Sequence, residues 1–479
     1  MKIITEESFL EQEIYELVHL FMQGTVIDEQ KPYIYFSMHL NQQELFIDFK
    51  IEFEDDVVSS SKTVKIEEYK NELEQKRYVK QAVKRELYIL LSKKFNKSLP
   101  WGCLTGIRPT KIGYELLESG VDKYFIKEAL IDKFFVSPQK AKLVDKIIKN
   151  QTCIIKNDNL VDLYVNIPFC PSKCSYCSFI SSEFKAVEKI IPDYLNALLK
   201  EIRATKQIII NKSYIVKTIY IGGGTPTVLS AEQLEMLLQE LTFGVNEFTV
   251  ECGRPDTITK EKLDVLKKYG VTRISINPQT FVDSTLKRIG RQHSSADVIE
   301  AYKLALDYDF SVNMDLIAGL PGETLRGFKK SIKTVLELFP DNITIHTLAL
   351  KKGSQLVLDS AQNENEITQA MVEYGQTELF ENGYKPYYMY KLKNQNAGLE
   401  NVGFYRDKVC QFNIDSMEET ASILACGANA ISKRIYFYDN RIERQANVKF
   451  ASDYISRIDE MIQRKKELSE HGSEQSLLS

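Results

Sequence analysis

Tyr164-Val-Asn-Ile-Pro-Phe-Cys-Pro-Ser-Lys-Cys-Ser-Tyr-Cys-Ser-Phe179 is the stretch that decides how this chain is read. Three cysteines, Cys170, Cys174 and Cys177, stand in it at C-x3-C-x2-C spacing. Cubane iron–sulfur clusters are held by cysteine thiolates, normally four. A compact loop that offers only three leaves one iron without a protein ligand. A small molecule can bind at that open position and receive an electron. The apolar run Val161 to Val165 just upstream is strand-like, so the cysteines fall on the loop leaving its C-terminal end. The alternative is a zinc knuckle. Zinc more often uses paired C-x2-C units or histidines, and no histidine lies near this loop.

The rest of the composition fits a cluster protein from a reducing compartment. Eight cysteines in 479 residues are no disulfide framework, which belongs to small secreted chains. The N-terminus, Met1-Lys-Ile-Ile-Thr-Glu-Glu7, lacks the basic and apolar regions of a signal peptide. No uncharged apolar run approaches the length of a membrane span. These features lead us to expect a cytoplasmic protein living with little oxygen. A hydrophobic content of 43% supplies sizeable cores, and the length suggests two to four domains. The net charge of −4 hides an asymmetry: residues 61–150 carry roughly nine more basic than acidic side chains.

Downstream of the cysteines, strand-like runs alternate with helical ones. The strands are Val161–Ile167, Thr218–Ile221, Glu247–Cys252, Arg273–Ile276, Val312–Ile317 and Asn342–Leu348. Helical spacing marks Pro192–Ile210, Ser295–Tyr308 and Thr324–Leu338. Ser230 reads as an N-cap with Gln233 three residues on, and Thr259 caps a helix that stops at Gly270. The intervals are long enough for right-handed βαβ crossovers, so six units predict a parallel sheet curved toward a barrel. In such barrels the chemistry gathers at the C-terminal ends of the strands. Conspicuous residues fall there: Gly222-Gly-Gly-Thr-Pro-Thr227 after the second strand, Glu251 after the third, Asn277-Pro-Gln-Thr280 after the fourth and Asp315 in the fifth. Arg291 follows a short helix. A glycine run lets the backbone approach a ligand closely, although a tight βα turn alone would also use one.

Together these motifs resemble the radical S-adenosylmethionine superfamily, and within it the oxygen-independent coproporphyrinogen III dehydrogenase branch. The likeness rests on Ile-Pro-Phe-Cys170-x3-Cys174-x-Tyr-Cys177, Gly222-Gly-Gly-Thr-Pro-Thr227, Arg273-Ile-Ser-Ile-x-x-Gln279-Thr-Phe281 and Asp315-Leu-Ile-Ala-Gly-Leu-Pro-Gly-Glu323. It spans roughly residues 160–435. The whole chain, with Pro100-Trp-Gly-Cys-Leu-Thr-Gly-Ile-Arg-Pro-Thr-Lys111, looks most like the HemZ-type members. The resemblance implies a partial (β/α)6 barrel of the α/β class, with an added α+β N-terminal domain and a C-terminal α+β region covering the substrate. It implies that the three thiolates hold a [4Fe–4S] cluster whose fourth iron is chelated by S-adenosylmethionine. The reduced cluster would cleave that sulfonium, so the cofactors carry the hard chemistry.

Residue roles follow from the same likeness. Gly222, Gly223, Gly224 and Thr225 would cradle the methionine amino group, and Arg291 would meet the cofactor carboxylate. Glu251 and Asp315 suit the sulfonium ligand and its ribose hydroxyls, and Gln279 a ribose or carboxylate contact. Tyr164 and Tyr176 would flank the cluster, and Ala349 would touch adenine. Two positions depart from the pattern. Members that carry out the dehydrogenation have a fourth cysteine two positions after the third; here that position is Phe179, which the heme-chaperone branch shares. Those chaperones, in turn, have histidine where this chain has Asn166.

The implied partners are a tetrapyrrole substrate, coproporphyrinogen III or a relative, and an electron donor such as flavodoxin. Propionates call for arginine, with Arg254 and Arg291 as candidates. Residues 1–155 read as an N-terminal domain, with a hairpin over Tyr33–Glu54 and a long helix over Glu67–Phe95. Lys76, Lys80, Lys84 and Lys94 suggest a basic face that steers an anionic partner. Nucleic acid is not expected, because the aromatic residues there fall mostly at core spacing. Residues 156–350 would form the barrel, 351–460 the covering region, and 461–479 a frayed tail. Cys410 and Cys426 read as isolated core thiols rather than ligands of a second cluster.

Overall fold

The computed structural model describes residues 1–22, 32–41, 43–66, 72–106, 108–151, 154–177, 182–348, 361–391, 399–438 and 441–470. The chain forms two compact units. One comprises Met1–Ile148, Asp359–Asn365 and Lys391–Leu399; the other comprises Lys149–Leu358, Glu366–Tyr390 and Glu400–Ser479.

The first unit contains β1 (Lys2–Ile4), α1 (Ser8–Met22), β2 (Tyr33–Leu40), β3 (Glu44–Glu52), β4 (Val57–Lys65), α2 (Glu72–Phe95), α3 (Pro109–Glu118), α4 (Ile126–Phe134) and α5 (Pro138–Asn150). Its four-stranded sheet runs β1-β2-β3-β4. Leu45, Ile47, Phe49 and Ile51 on β3 alternate inward, and Val79, Val83, Leu87 and Leu91 recur one helical turn apart on α2. The expected basic face is largely paired: Lys80 and Lys84 share Glu13 of α1 at 3.1 and 3.3 Å, Lys76 meets Glu72, and Lys94 meets Asp56. The acids on α1 and beyond β3 that neutralise these lysines lie far from them in sequence, so a local charge count could not pair them.

In the second unit, the strands are β5 (Leu160–Ile167), β6 (Phe169–Cys170), β7 (Ser182–Glu183), β8 (Ile215–Gly223), β9 (Glu247–Glu251), β10 (Arg273–Ser275), β11 (Ser311–Ala318) and β12 (Asn342–Thr347). Between them lie α6 (Phe184–Val187), α7 (Ile191–Asn211), α8 (Ala231–Gln239), α9 (Lys260–Lys268), α10 (Asp283–Arg288), α11 (Ser295–Leu306) and α12 (Leu325–Leu338). Then follow α13 (Ala361–Glu381), β13 (Lys385–Lys391), β14 (Glu400–Tyr405), α14 (Gln411–Glu418), β15 (Ser422–Cys426), β16 (Ile431–Tyr436), β17 (Arg441–Ala446), α15 (Ala451–Ser456) and α16 (Ile458–Glu470).

Six strands, β5-β8-β9-β10-β11-β12, lie side by side and parallel, the order of a (β/α)6 partial barrel. Helix starts are set by local chemistry. Ser230 and Gln233 form a reciprocal capping box, and Thr259 and Thr324 accept from the third residue beyond them. The C-terminal region extends the sheet at both edges. β14 and β13 add beyond β12, while β15 joins β5 in parallel and carries β16 and β17.

The N-terminal ends of the strands are closed by the segment leading into α14. Glu247, at the start of β9, accepts from the backbone N–H groups of Gln411 (2.6 Å) and Phe412 (3.0 Å), placing a carboxylate at the helix N-terminus. Arg273, at the start of β10, donates to the carbonyls of Lys408 and Val409, and Lys217 of β8 meets the buried Asp415 at 2.8 Å. Phe412 thereby enters the interior and stacks on Tyr220, ring centroids 4.4 Å apart.

The expected frayed tail is ordered as far as Glu470. Met461, Ile462 and Leu468 of α16 are buried, and Lys465 Nζ reaches Glu201 Oε1 at 2.8 Å with both side chains out of solvent. Glu201 Oε2 accepts from the backbone of Gly427, so the helix is tied to the barrel wall. Residues 471–479 lie outside the described residues. Among the described residues no helix is long and apolar enough to cross a membrane. Removing one partner of a buried ion pair strands the other charge. Lys465→Ala should therefore destabilise this unit by roughly 3–5 kcal/mol in urea unfolding, whereas Lys465→Met with Glu201→Gln, which removes both charges yet keeps an acceptor for Gly427, Asn447 and Tyr454, should recover part of that loss.

Candidate functional site

β5 delivers the thiol loop to the barrel mouth, where Cys174 is buried and Cys170 and Cys177 are half-buried. The loop closes with the Cys177 N–H on the Cys174 carbonyl at 3.0 Å. The seven described cysteines are all free of disulfides. Cys410 lies against Glu247 at the closed end of the barrel, and Cys426 lies beside Lys465, so each is engaged elsewhere.

Beside the loop runs the glycine end of β8. Gly224 N–H donates to the Ile167 carbonyl (2.8 Å) and Thr225 N–H to the Phe169 carbonyl (2.7 Å). A Cβ on Gly224 would stand 2.4 Å from the Phe169 oxygen. Gly223 adopts φ +106°, and a Cβ there would meet Asn166 Oδ1 at 1.9 Å. Only glycine fits either position. Thr225 Oγ1 lies 3.7 Å from Cys170 Sγ, and Gly222 covers the Glu251 carboxylate.

Glu251 ends β9. Its Oε1 accepts from the Tyr220 hydroxyl at 2.7 Å and its Oε2 from the Gly223 N–H at 3.2 Å. Burial pushes this carboxyl up to about 7 against the pull of Tyr220, with nearby Asp315 adding to the rise. A cationic ligand would relieve it by favouring the ionised form. On β11, Asp315 Oδ1 accepts from Asn313 Nδ2 at 2.7 Å, and its Oδ2 lies 3.6 Å from His346 Nε2. Burial would raise Asp315, but His346 and the hydrogen bonds from Asn313 and Thr344 hold it below the usual carboxylate range. Gln279 has a left-handed backbone, φ +64°, and is held by its own N–H on the Asp315 carbonyl.

Arg291 is buried beside the loop. Its Nη1 donates to the carbonyls of Asn277 (2.6 Å) and Gly253 (3.2 Å), and its Nη2 to the Tyr176 hydroxyl at 3.4 Å. Nε of Arg291 and Oδ1 of Asn277 are buried with no hydrogen-bond partner. An unspent cationic donor beside a thiol loop suits an anionic group of a ligand. Tyr176 packs against the cluster of Leu286, Ile289, Ile317 and Leu320. Tyr164 is placed differently from the expectation that it flanks the cluster. Strand alternation turns it into the interior, where it stacks with Tyr220 and Phe412 and donates to Asn166 Oδ1 at 3.0 Å. Ala349 and Phe179 lie outside the described residues.

The structure also corrects the reading of Arg254 as a propionate anchor. Arg254 spends both edges of its guanidinium on Asp256 and Ser172. Three side chains were missed from sequence: Tyr220, His346 and Tyr390, whose hydroxyl lies 3.3 Å from His346 Nδ1. Strand parity could have found the first two. Tyr220 lies two residues before Gly222, and His346 two after Thr344, the partner of Asp315 in the ladder.

Three thiols without histidine or carboxylate form the donor set of a cluster. Among the described residues no three His, Cys, Asp or Glu side chains converge as ligands of a single ion. The glycine cradle packs backbone against backbone, and the unspent Arg291 donor supplies a buried polar group for a small ligand beside the loop. The loop, the cradle and the parallel partial barrel define a class, and the sequence profile described as the radical SAM superfamily matches residues 164–335. The chain is 37% identical over 375 residues to the oxygen-independent coproporphyrinogen-III oxidase-like protein HemZ of Bacillus subtilis, covering 75% of each. It is 38% identical over 195 residues to the heme chaperone HemW of the same organism, spanning half of that protein. The Escherichia coli coproporphyrinogen III oxidase HemN shares the fold, with a TM-score of 0.50 and 24% identity over 64% of this chain and 70% of that one. The chain therefore belongs to the radical S-adenosylmethionine superfamily and, within it, to the family of coproporphyrinogen-III oxidase-like proteins that includes HemZ. Members of the superfamily use a [4Fe–4S] cluster and S-adenosylmethionine.

Glu251→Gln and Asp315→Asn should each weaken S-adenosylmethionine binding by about 1.5–3 kcal/mol, the value of a hydrogen bond to a charged group. Both should leave the iron and sulfide content of the reconstituted protein unchanged. Titration of cofactor into each variant reads the first effect, and elemental analysis the second.

Proposed function

We propose that this protein is a radical S-adenosylmethionine oxidoreductase that converts coproporphyrinogen III to protoporphyrinogen IX without oxygen, in heme biosynthesis. The carrying observation is that the polar groups suited to the cofactor gather at one end of consecutive strands, beside a three-thiol loop. The 37% identity to a coproporphyrinogen-III oxidase-like protein over 75% of the chain supports the substrate class.

When bound, the cluster and S-adenosylmethionine supply one-electron reduction and a hydrogen-abstracting radical. The chain's own residues hold and orient them. Cys170, Cys174 and Cys177 hold the cluster. Gly222, Gly223, Gly224 and Thr225 take the methionine amino end, and Arg291 the carboxylate. Glu251 places negative charge toward the sulfonium side. Asp315 and Gln279 meet the ribose, with Ala349 on the adenine. Tyr176 stands by the cluster, and Tyr164 supports the interior wall beneath it. On the substrate, each of two propionates would give up a β-hydrogen atom to the cofactor-derived radical, carbon dioxide, and one electron that offsets the electron spent on each cofactor cleavage, leaving a vinyl group. The reducing electrons come from a donor such as flavodoxin, in the cytoplasm.

A second reading is a heme-binding chaperone. The identity to HemW and the absence of a fourth cysteine at Phe179 favour it. An anaerobic assay with coproporphyrinogen III, reductant and S-adenosylmethionine separates the two. The proposal expects protoporphyrinogen by mass, with two carbon dioxide molecules lost. Stable heme binding without turnover would establish the chaperone instead.

A further inference from the structure

Arg254 follows the end of β9 and is only 3% exposed. Its guanidinium reaches the middle of the thiol loop. Nη1 and Nη2 each lie 3.1 Å from Ser172 Oγ, and Nη1 lies 3.3 Å from the Ser172 carbonyl. The other edge grips Asp256, Nε to Oδ1 at 3.1 Å and Nη2 to Oδ2 at 3.3 Å. Behind Asp256, the fully buried side chain of His293 places Nδ1 3.5 Å from Oδ1. Burial pushes Asp256 up, yet His293 and Arg254 hold it at about 2, so it stays an anion.

Ser172 is also fastened on its far side, where Oγ donates to the Gly290 carbonyl at 3.1 Å. One step along the loop, the Ser175 N–H donates to the Ile289 carbonyl at 3.1 Å. A residue between Cys170 and Cys174, and another between Cys174 and Cys177, are thus pinned to the barrel by groups that are not ligands. Three thiolates brought together repel one another, and a free loop loses conformational entropy when it orders. A planar guanidinium gripping carboxylate on one edge and loop on the other supplies charge and fixed geometry at once.

We propose that Arg254, backed by Asp256 and His293, is a positioning residue that holds the Cys170–Cys177 loop in its ligating shape before any metal is bound. The inference rests on the loop's being the cluster site and is independent of the substrate.

The test is amide hydrogen exchange on the metal-free full chain. Arg254→Gln should speed exchange of residues 168–177 by at least about tenfold while leaving β8, β9 and α7 at wild-type rates. Arg254→Lys keeps the charge but loses the fork and should resemble Arg254→Gln. Ser172→Ala removes only the hydroxyl and should give a smaller acceleration confined to the same loop. On anaerobic loading, Arg254→Gln should take up iron more slowly yet reach the wild-type iron and sulfide content. Unchanged loop exchange in both Arg254→Gln and Ser172→Ala would overturn the proposal. So would acceleration spread evenly through the unit, with Ser172→Ala like wild type. Should Arg254→Gln fail to fold, Ser172→Ala alone decides. A wild-type chain that binds no iron would overturn the cluster reading, and with it the purpose of the clamp, whatever the exchange rates.

Discussion

The site depends on a backbone approach that only glycine permits. Where β8 ends, Gly223 and Gly224 run against Asn166, Ile167 and Phe169 so closely that a single added carbon would overlap them. The contact sets two things together. It fastens the N–H groups of Gly224 and Thr225 to the Ile167 and Phe169 carbonyls, and it fixes the exit of the chain from β5 into the cysteines. Asn166 locks the same corner by donating to the Ala428 carbonyl while its own carbonyl accepts from the Tyr194 hydroxyl. Thiol loop and glycine run are therefore one piece of structure.

The two ends of the strands do opposite work. At the N-terminal ends Glu247, Arg273 and Lys217 are spent on the backbone and side chains of the segment leading into α14, and that end is closed. At the C-terminal ends polar groups remain for a ligand, as the bare Nε of Arg291 and the raised carboxyl of Glu251 attest. The ends communicate through the interior stack, in which Phe412 supports Tyr220 and Tyr220 holds Glu251. Truncating Phe412 would loosen Glu251 from below.

Much of this was legible in the sequence because its causes are local. Strand alternation, N-caps such as Ser230 and Thr259, and the stop at Gly270 each act within a few residues of where they are read. The parallel order β5-β8-β9-β10-β11-β12 follows from interval length and handedness. Two of the losses share one cause, partners distant along the chain. Lys465 looked like a solvated tail residue because its carboxylate, Glu201, lies 264 positions away. Arg254 looked available because Ser172 stands 82 residues before it. The strand Val57–Lys65 was missed because a serine-rich edge strand has little inward apolar alternation to betray it.

The chemistry of this site turns on three thiols of one loop holding a cubane cluster with one iron left open to a small ligand. Iron, sulfide and zinc analysis of anaerobically reconstituted protein, wild type against the variant with Cys170, Cys174 and Cys177 all replaced by alanine, tests it most directly. About four iron and four sulfide per wild-type chain are expected, and none in the variant. Zinc in the wild type, or iron retained by the variant, would contradict it.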